Sequence, residues 1–172
     1  GRLAISKETM VEHCLEQVLF DLKYKLELSL KGIDIVFYTK EDILSLTRVR
    51  RFETKMGERL QFLKRETEWP EVIQHSSAKF VLLGIPEDFG VKGNYGIGGT
   101  ETAWLSFLDS FLNIQSNDFL TGENTLLLGH FDFGDVKFLI ENNAYNAEEK
   151  INAYRHALKI VDEEVEDLLK VI

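Results

Sequence analysis

Apolar residues recur at helical spacing along the C-terminal part of the chain. They follow one another in alternating steps of three and four: Ile151, Tyr154, Leu158, Val161, Val165, Leu168 and Ile172. Asn146, with Glu149 three positions later, is typical of a helix start. The pattern predicts a long amphipathic helix that packs on a sheet, and a coiled coil over three heptads is the alternative.

Two compact apolar runs predict strands. Residues 79–84 read Lys-Phe-Val-Leu-Leu-Gly, and residues 125–129 read Thr-Leu-Leu-Leu-Gly. Between them lie a glycine-rich loop over residues 84–99 and apolar positions that predict a helix from Thr100 through Phe111. This order predicts a βαβ unit with parallel strands and a right-handed crossover. We expect the first strand to be buried on both faces.

The chain before residue 79 divides into two predicted parts. Residues 1–32 begin with a helix from Ser6, and their second half fits either a further helical stretch or one arm of a hairpin whose other arm is residues 33–38. Residues 33–78 form a helical and basic connector. Within it Thr39 and Asp42 resemble a capping box, and Trp69-Pro70 is typical of a second helix start. Residues 79–172 then form the α/β domain.

The apolar stripe of the last helix runs to Ile172, and no further strand follows it in the sequence. An α/β chain normally returns to a parallel strand after such a helix. The pattern therefore predicts a fold that is truncated after a βαβα segment. We also expect exposed apolar surface on this helix and on a sheet edge, which would favour a homo-oligomer.

Composition limits the partners. Twenty basic and 29 acidic side chains give a net charge of −9, which argues against nucleic acid as a partner. Residues 48–65 are locally basic, and we interpret them as a solvated connector that pairs with acidic residues elsewhere rather than as an anion site. Cys14 is the only cysteine, and no apolar run or signal-peptide pattern indicates a membrane, so the expected location is the cytoplasm.

The glycine-rich loop does not carry a nucleotide motif. Residues 93–100 match the phosphate-binding pattern except that Gly99 stands where its lysine belongs, and Glu101 replaces the third glycine of the dinucleotide pattern. Two interpretations stay open for this loop. It is either a tightly turned loop whose glycines take positive φ, or a loop over a substrate site at the carboxyl ends of parallel strands.

Polar residues follow each predicted strand. His130, Asp132 and Asp135 could ligate a metal, but a hydrogen-bonded turn at the strand end is the favoured interpretation. Glu87 and Asp88 could contact a cationic substrate, and ordinary surface carboxylates are the favoured reading. No serine or cysteine stands in a nucleophile motif, so these residues predict no catalytic group.

The segment from Gly84 to Gly96 (Gly-Ile-Pro-Glu-Asp-Phe-Gly-Val-Lys-Gly-Asn-Tyr-Gly), together with residues 125–133, resembles the amino-terminal part of the arginase, agmatinase and formimidoylglutamase superfamily, the ureohydrolases. Bacterial formimidoylglutamase-like members are the most similar. Residues 38–42, 53–58 and 153–157 extend the resemblance, which covers about residues 33–172.

The resemblance implies the N-terminal part of a three-layer α/β/α fold with a mainly parallel sheet. It implies a parent hydrolase that cleaves a C–N bond of an amidine or guanidine amino-acid derivative with two Mn²⁺ ions. The family's Gly-Gly-x-His, Asp-x-His-x-Asp and Asp-x-Asp ligand motifs do not occur here, so we expect no metal and no hydrolase activity in this chain alone. Lys92 and Asn94 match a family stretch near the carboxylate end of the substrate and are the predicted substrate-binding residues.

Overall fold

The computed structural model describes residues 34–63, 73–144 and 146–171. The predicted helix from Ser6, the choice between helix and hairpin arm for residues 22–32, and the predicted helix start at Trp69-Pro70 lie outside these residues. The described chain is a mixed α/β structure, as the sequence predicted.

Three strands form one sheet in the order β1-β3-β2, where β1 is Asp34–Phe37, β2 is Phe80–Gly84 and β3 is Thr125–Asp132. The central strand β3 pairs in parallel with β2, which confirms the predicted parallel pair. It pairs antiparallel with β1, with Asp34 opposite Asp132 and Phe37 opposite Gly129. The described sheet is therefore mixed, and the expectation of a mainly parallel sheet is wrong for these strands.

The helices occur in the order α1 Lys40–Leu46, α2 Met56–Arg59, α3 Phe89–Gly93, α4 Ala103–Leu112, α5 Gly134–Asn143 and α6 Ala147–Val171. A 3-10 turn, Thr100–Thr102, leads into α4. The capping box of α1 is confirmed, since the Asp42 amide donates to Thr39 Oγ1 over 3.2 Å and the Thr39 amide donates to Asp42 Oδ2 over 2.9 Å.

The apolar core lies on both faces of β3, because successive side chains of a strand point to opposite faces. Leu127 packs with side chains of α1, α2 and α4, such as Ile43, Met56 and Leu108. Leu126 and Leu128 pack with Ile73. Further along β3, Phe131 joins Phe89 and Phe133 in a cluster that α5 and α6 cover.

The apolar stripe of α6 belongs to this last cluster. Tyr154, Val161 and Leu168 are at most 7% exposed and pack with Phe89 of α3 and Ile140 of α5. The expectation of an exposed stripe on this helix is therefore wrong for the described residues. The start predicted at Asn146 is confirmed, since Asn146 Oδ1 accepts a hydrogen bond from the Glu149 amide over 2.9 Å.

Two further expectations need correction. The strand at residues 79–84 is not buried on both faces, because β2 lies at the edge of the described sheet and Phe80 is 60% exposed. Within the glycine-rich loop only Gly99 has a positive φ among the described glycines, because residues 89–93 form the short helix α3. The non-glycine residue Tyr95 also takes a positive φ there.

Candidate functional site

A polar cleft of about 180 Å³ lies at the carboxyl ends of the parallel strands β2 and β3. The loop after β2 and the residues that join β3 to α5 form its walls. We call it the strand-end cleft. Its lining residues are Pro86, Glu87, Asp88, Phe89, Glu101, His130, Phe131, Asp132, Phe133, Gly134 and Lys137. Open α/β sheets commonly bind ligands at this edge.

Asp88 fixes the loop that covers one side of the cleft. Its side chain is 2% exposed, and Oδ2 lies 2.9 Å from Lys92 Nζ. The same oxygen accepts a hydrogen bond from the Gly99 amide over 3.1 Å. Gly98 permits this close approach, because a Cβ at that position would overlap the Asp88 carboxylate. Asp88 therefore joins the two ends of the loop.

Glu101 and Lys137 continue the charged wall of the cleft. Lys137 Nζ lies 3.0 Å from Glu101 Oε1, which joins the turn before α4 to α5. A hydrogen bond with the Asp88 carboxyl group, and then the one from Lys137, hold the pKa of Glu101 at about 2, well below its ordinary value. The Glu101 contact raises the pKa of Lys137. The two carboxyl groups of Asp88 and Glu101 thus lie in contact, with Lys92 on one side and Lys137 on the other.

His130 stands at the carboxyl end of β3 in a chain of hydrogen bonds. Trp104 Nε1 donates to Tyr38 Oη over 2.9 Å, and Tyr38 Oη lies 2.8 Å from His130 Nδ1. Burial lowers the pKa of His130, and the nearby Asp132 carboxylate opposes this shift in part. The net effect favours the neutral imidazole.

A larger cavity of about 730 Å³ lies between the loop after α3, the end of α5 and the start of α6. Tyr154 and Ile151 form its apolar part, and Lys92, Lys150 and Glu141 are among its charged residues. Lys92 also pairs with Asp88 of the strand-end cleft. Its ammonium group therefore lies between the two cavities.

The two predicted substrate-binding residues lie on different surfaces. Burial is the largest single influence on the pKa of Lys92 and lowers it, but the hydrogen bond to Asp88 and the charges of nearby groups together raise the pKa above its ordinary value. Its ammonium also lies 5.2 Å from the ring centroid of Tyr154. Asn94 is exposed, and its side chain donates to the Gly90 carbonyl over 3.0 Å. The described structure does not bring Lys92 and Asn94 together in either cavity.

The residues after β3 form a turn and a helix. Asp132 Oδ1 accepts from the Gly134 amide over 2.8 Å, which confirms the hydrogen-bonded turn. Among the described residues no group of three or more histidine, cysteine or carboxylate side chains could hold a metal ion. Helix α5 follows directly, and the sequence analysis did not predict it. Its buried side chains include only Val136 and Ile140, so its helical pattern is weak.

The basic stretch pairs with acidic side chains where it is described. Arg48 Nη2 lies 2.7 Å from Asp109 Oδ1, and Lys55 Nζ lies 2.7 Å from Glu53 Oε2. Arg59 is paired with Glu123. Arg48 and Arg59 thus pair with acidic residues outside the stretch, and the assignment of the stretch as a connector stays a prediction.

Several partners that complete the cleft could not be identified from the sequence. A position after a strand marks Glu87, Asp88, His130 and Asp132 as candidates, whereas no sequence pattern assigns a role to Glu101, Lys137, Tyr38 or Trp104. His130 and Tyr38 are 92 positions apart, so no local spacing indicates their contact. Lys137 follows the end of β3 closely in the sequence. Its place in the cleft depends on helix α5, which was not predicted.

Comparison of the chain with protein-family models, with curated proteins and with solved structures found no match. None of the helices within the described ranges combines the length and the apolar character that crossing a bilayer requires.

Proposed function

We propose that the strand-end cleft binds the amidine or guanidine group of an amino-acid derivative, and that the chain is the amino-terminal part of a ureohydrolase of the formimidoylglutamase-like kind. The parent protein would hydrolyse a C–N bond of this ligand. The three-layer arginase-like fold is part of the same proposal. The cytoplasmic location is part of it too.

The observation that carries the proposal is the set of carboxylates around a small cleft at the strand ends. Glu87, Asp88, Glu101 and Asp132 all line it. An amidinium or guanidinium group is planar and carries only N–H donors, so carboxylates are its natural partners. The volume of about 180 Å³ suits the head group of such a ligand rather than a whole nucleotide.

Lys92 and Asn94 remain the proposed partners of the substrate carboxylate. The position of Lys92 supports this role, because its ammonium group lies between the two cavities, 2.9 Å from Asp88 Oδ2. The ligand would then place its cationic group in the strand-end cleft and its carboxylate toward Lys92. Asn94 would have to exchange its contact with Gly90 for one with the ligand.

The described residues do not fit the two Mn²⁺ ions of the ureohydrolases, since no group of three or more potential ligands occurs among them. The proposal therefore assigns no metal ligand to these residues and routes no step through an ion. Its content for this chain is binding and orientation of the ligand.

Calorimetric titration with N-formimidoylglutamate, and separately with arginine, tests the proposal. We expect saturable binding that Glu101→Gln weakens roughly tenfold, because the variant removes a charged partner of the cation. Asp162→Asn is the matched control, since Asp162 is an exposed carboxylate on α6 that does not line the cleft. Absence of binding, or equal weakening by both variants, would contradict the proposal.

A second candidate function is a non-catalytic module that forms a homo-oligomer. Phe119, Ile97 and Phe52 favour it, because each of these apolar side chains is at least 91% exposed. Light scattering across a range of concentrations tests it, and a monomer throughout that range would remove its basis.

A further inference from the structure

The hydrogen-bond chain that ends at His130 bears on which ring nitrogen carries the proton. The indole N–H of Trp104 can only donate, so Tyr38 Oη is the acceptor in that 2.9 Å contact. The phenol proton of Tyr38 is then free to point at His130 Nδ1, 2.8 Å away. When Tyr38 donates this proton, Nδ1 accepts it and the neutral ring carries its hydrogen on Nε2. The reverse tautomer, in which Nδ1–H donates to the second acceptor site of Tyr38 Oη, satisfies the same distances.

With its hydrogen on Nε2, His130 offers only a donor to the strand-end cleft, which this residue lines. Within residues 34–63, 73–144 and 146–171 the hydrogen bond found for the ring is the contact of Nδ1 with Tyr38. Burial lowers the pKa of His130, which favours the neutral ring. A donor among several carboxylates selects for an acceptor atom on the ligand.

The charged groups around this ring favour an uncharged acceptor over an anion. Those on the neighbouring elements are Glu87, Asp88, Glu101, Asp132 and Lys137, with Asp42 acting on Tyr38. These four carboxylates outnumber the two ammonium groups beside them, since Lys137 pairs with Glu101 and Lys92 pairs with Asp88. A carboxylate ligand would be repelled here, whereas a carbonyl oxygen would not.

We propose that Tyr38 donates to His130 Nδ1, and that His130 is a specificity-determining residue of the strand-end cleft, whose Nε2–H binds the carbonyl oxygen of a primary amide or urea group while the carboxylates bind the N–H groups of that ligand. Tyr38 is its positioning residue. The inference rests on the proposed function in one respect: hydrolysis of an amidine leaves an amide, and hydrolysis of a guanidine leaves urea. In both reactions a carbonyl oxygen takes the place of a nitrogen.

This arrangement distinguishes the two ligand forms. An amidinium offers N–H donors on both arms and cannot accept from Nε2–H, so it binds through the carboxylates alone. An amide of the same shape offers one acceptor and one NH₂ group and satisfies both kinds of partner. His130 thus recognises the hydrolysed form of the group.

Acetamide and acetamidinium are the matched probes, since they have the same planar shape and differ by an oxygen in place of a nitrogen. The experiment follows the His130 ring nitrogens by NMR in histidine-labelled protein during titration with each probe. We expect acetamide to shift the Nε2 resonance saturably and acetamidinium to leave Nε2 nearly unchanged. Equal shifts with both probes, no shift with acetamide, or a proton on Nδ1 would overturn the inference.

Variants separate recognition from folding. His130→Leu should weaken acetamide binding roughly two- to tenfold, the value of one hydrogen bond, and leave acetamidinium binding unchanged. His130→Gln keeps an N–H donor and should restore part of the acetamide affinity. His75→Gln is the control, because His75 is exposed and lies outside the cleft. Equal acetamide affinity in wild type and His130→Leu would overturn the inference.

Tyr38→Phe tests the positioning role without touching the ligand. The variant lacks the hydroxyl group that donates to Nδ1 and favours the neutral ring. The pKa of His130 should therefore rise, and the Nδ1 resonance should move to the position of a nitrogen without this hydrogen bond. An unchanged His130 pKa in a folded variant would overturn that role. If acetamide shifts His130 while acetamidinium does not bind at all, the inference stands and the proposed amidine hydrolase function fails.

Discussion

Asp88 and its neighbours give the cleft its shape at the level of single residues. Asp88 is buried, and both the Lys92 ammonium and the Gly99 amide contact the same carboxyl oxygen. Polar groups that are buried in proteins need such partners. Glu101 and Lys137 add a second pair at the surface of the cleft. The charged wall is thus a connected network. The stability of the fold should depend on pH through Glu101, whose pKa is strongly lowered there.

Glu101 should give the fold a measurable acid dependence. Its folded-state pKa of about 2 lies below its ordinary value of 4.5, so its contribution to stability is complete above about 4.5 and is lost as the pH falls toward about 2. We expect the melting temperature of Glu101→Gln to fall less steeply than that of wild type between these values. Glu148→Gln, a variant at an exposed position on α6, should follow the wild-type curve. Parallel curves for Glu101→Gln and wild type would contradict the network.

Gly129 is the position in β3 that should tolerate a side chain least. Its φ is +151°, and a Cβ there would overlap the Val36 carbonyl oxygen of β1. Gly129→Ala should therefore lower the free energy of unfolding by more than about 1 kcal/mol from the backbone conformation alone, and steric overlap adds to that. Gly90→Ala is the control. Gly90 lies in helix α3, and a Cβ there would lie 3.6 Å from the Leu158 side chain of α6. We therefore expect the free energy of unfolding to stay the same or to rise by up to about 1 kcal/mol. Chemical denaturation measures both.

At the scale of helices and strands, sequence patterns were sufficient wherever an element carries its own signal. The capping residues Thr39 and Asn146 mark two helix starts that the structure confirms. Helix α5 escaped prediction because it buries few apolar side chains, and α3 because glycines stand within and at the end of its five residues. The antiparallel place of β1 could not be predicted, since its partner β3 lies more than ninety positions away.

The amphipathic face of α6 supplies a test at this scale. Leu168 is 7% exposed and packs in the cluster around Phe133, whereas its neighbour Leu169 is 67% exposed. Leu168→Ala should cost about 2–5 kcal/mol of unfolding free energy, the usual range for a buried leucine. Leu169→Ala should change it by less than about 0.5 kcal/mol. Equal effects, or a concentration-dependent loss that indicates an intermolecular contact, would show that α6 is not packed within one chain.

At the scale of the whole molecule, the sheet brings together residues that the sequence keeps far apart. Asp88 and Asp132 each follow a strand, and the parallel pairing of β2 with β3 places both at the same edge. That much of the cleft could be predicted, because strand ends are visible in the sequence. The contact of His130 with Tyr38 and Trp104 depends on how β1 and α4 pack, and no local pattern contains that information.

The two cavities differ in their charged groups, because only the strand-end cleft has several carboxylates at the ends of the strands. The larger cavity beside α6 has apolar walls formed by Ile151 and Tyr154. The strand-end cleft has Glu87, Asp88 and Asp132. If the proposed function holds, a small amidinium should occupy the second of these two places.

Mapping of backbone amide shifts during titration with acetamidinium is the most direct measurement of this claim. The account predicts saturable shifts centred on the amides of Gly99 and Gly134, which donate to the cleft carboxylates Asp88 and Asp132. Shifts centred instead on Lys150 and Ile151 of the larger cavity, or no saturable shifts at all, would contradict it.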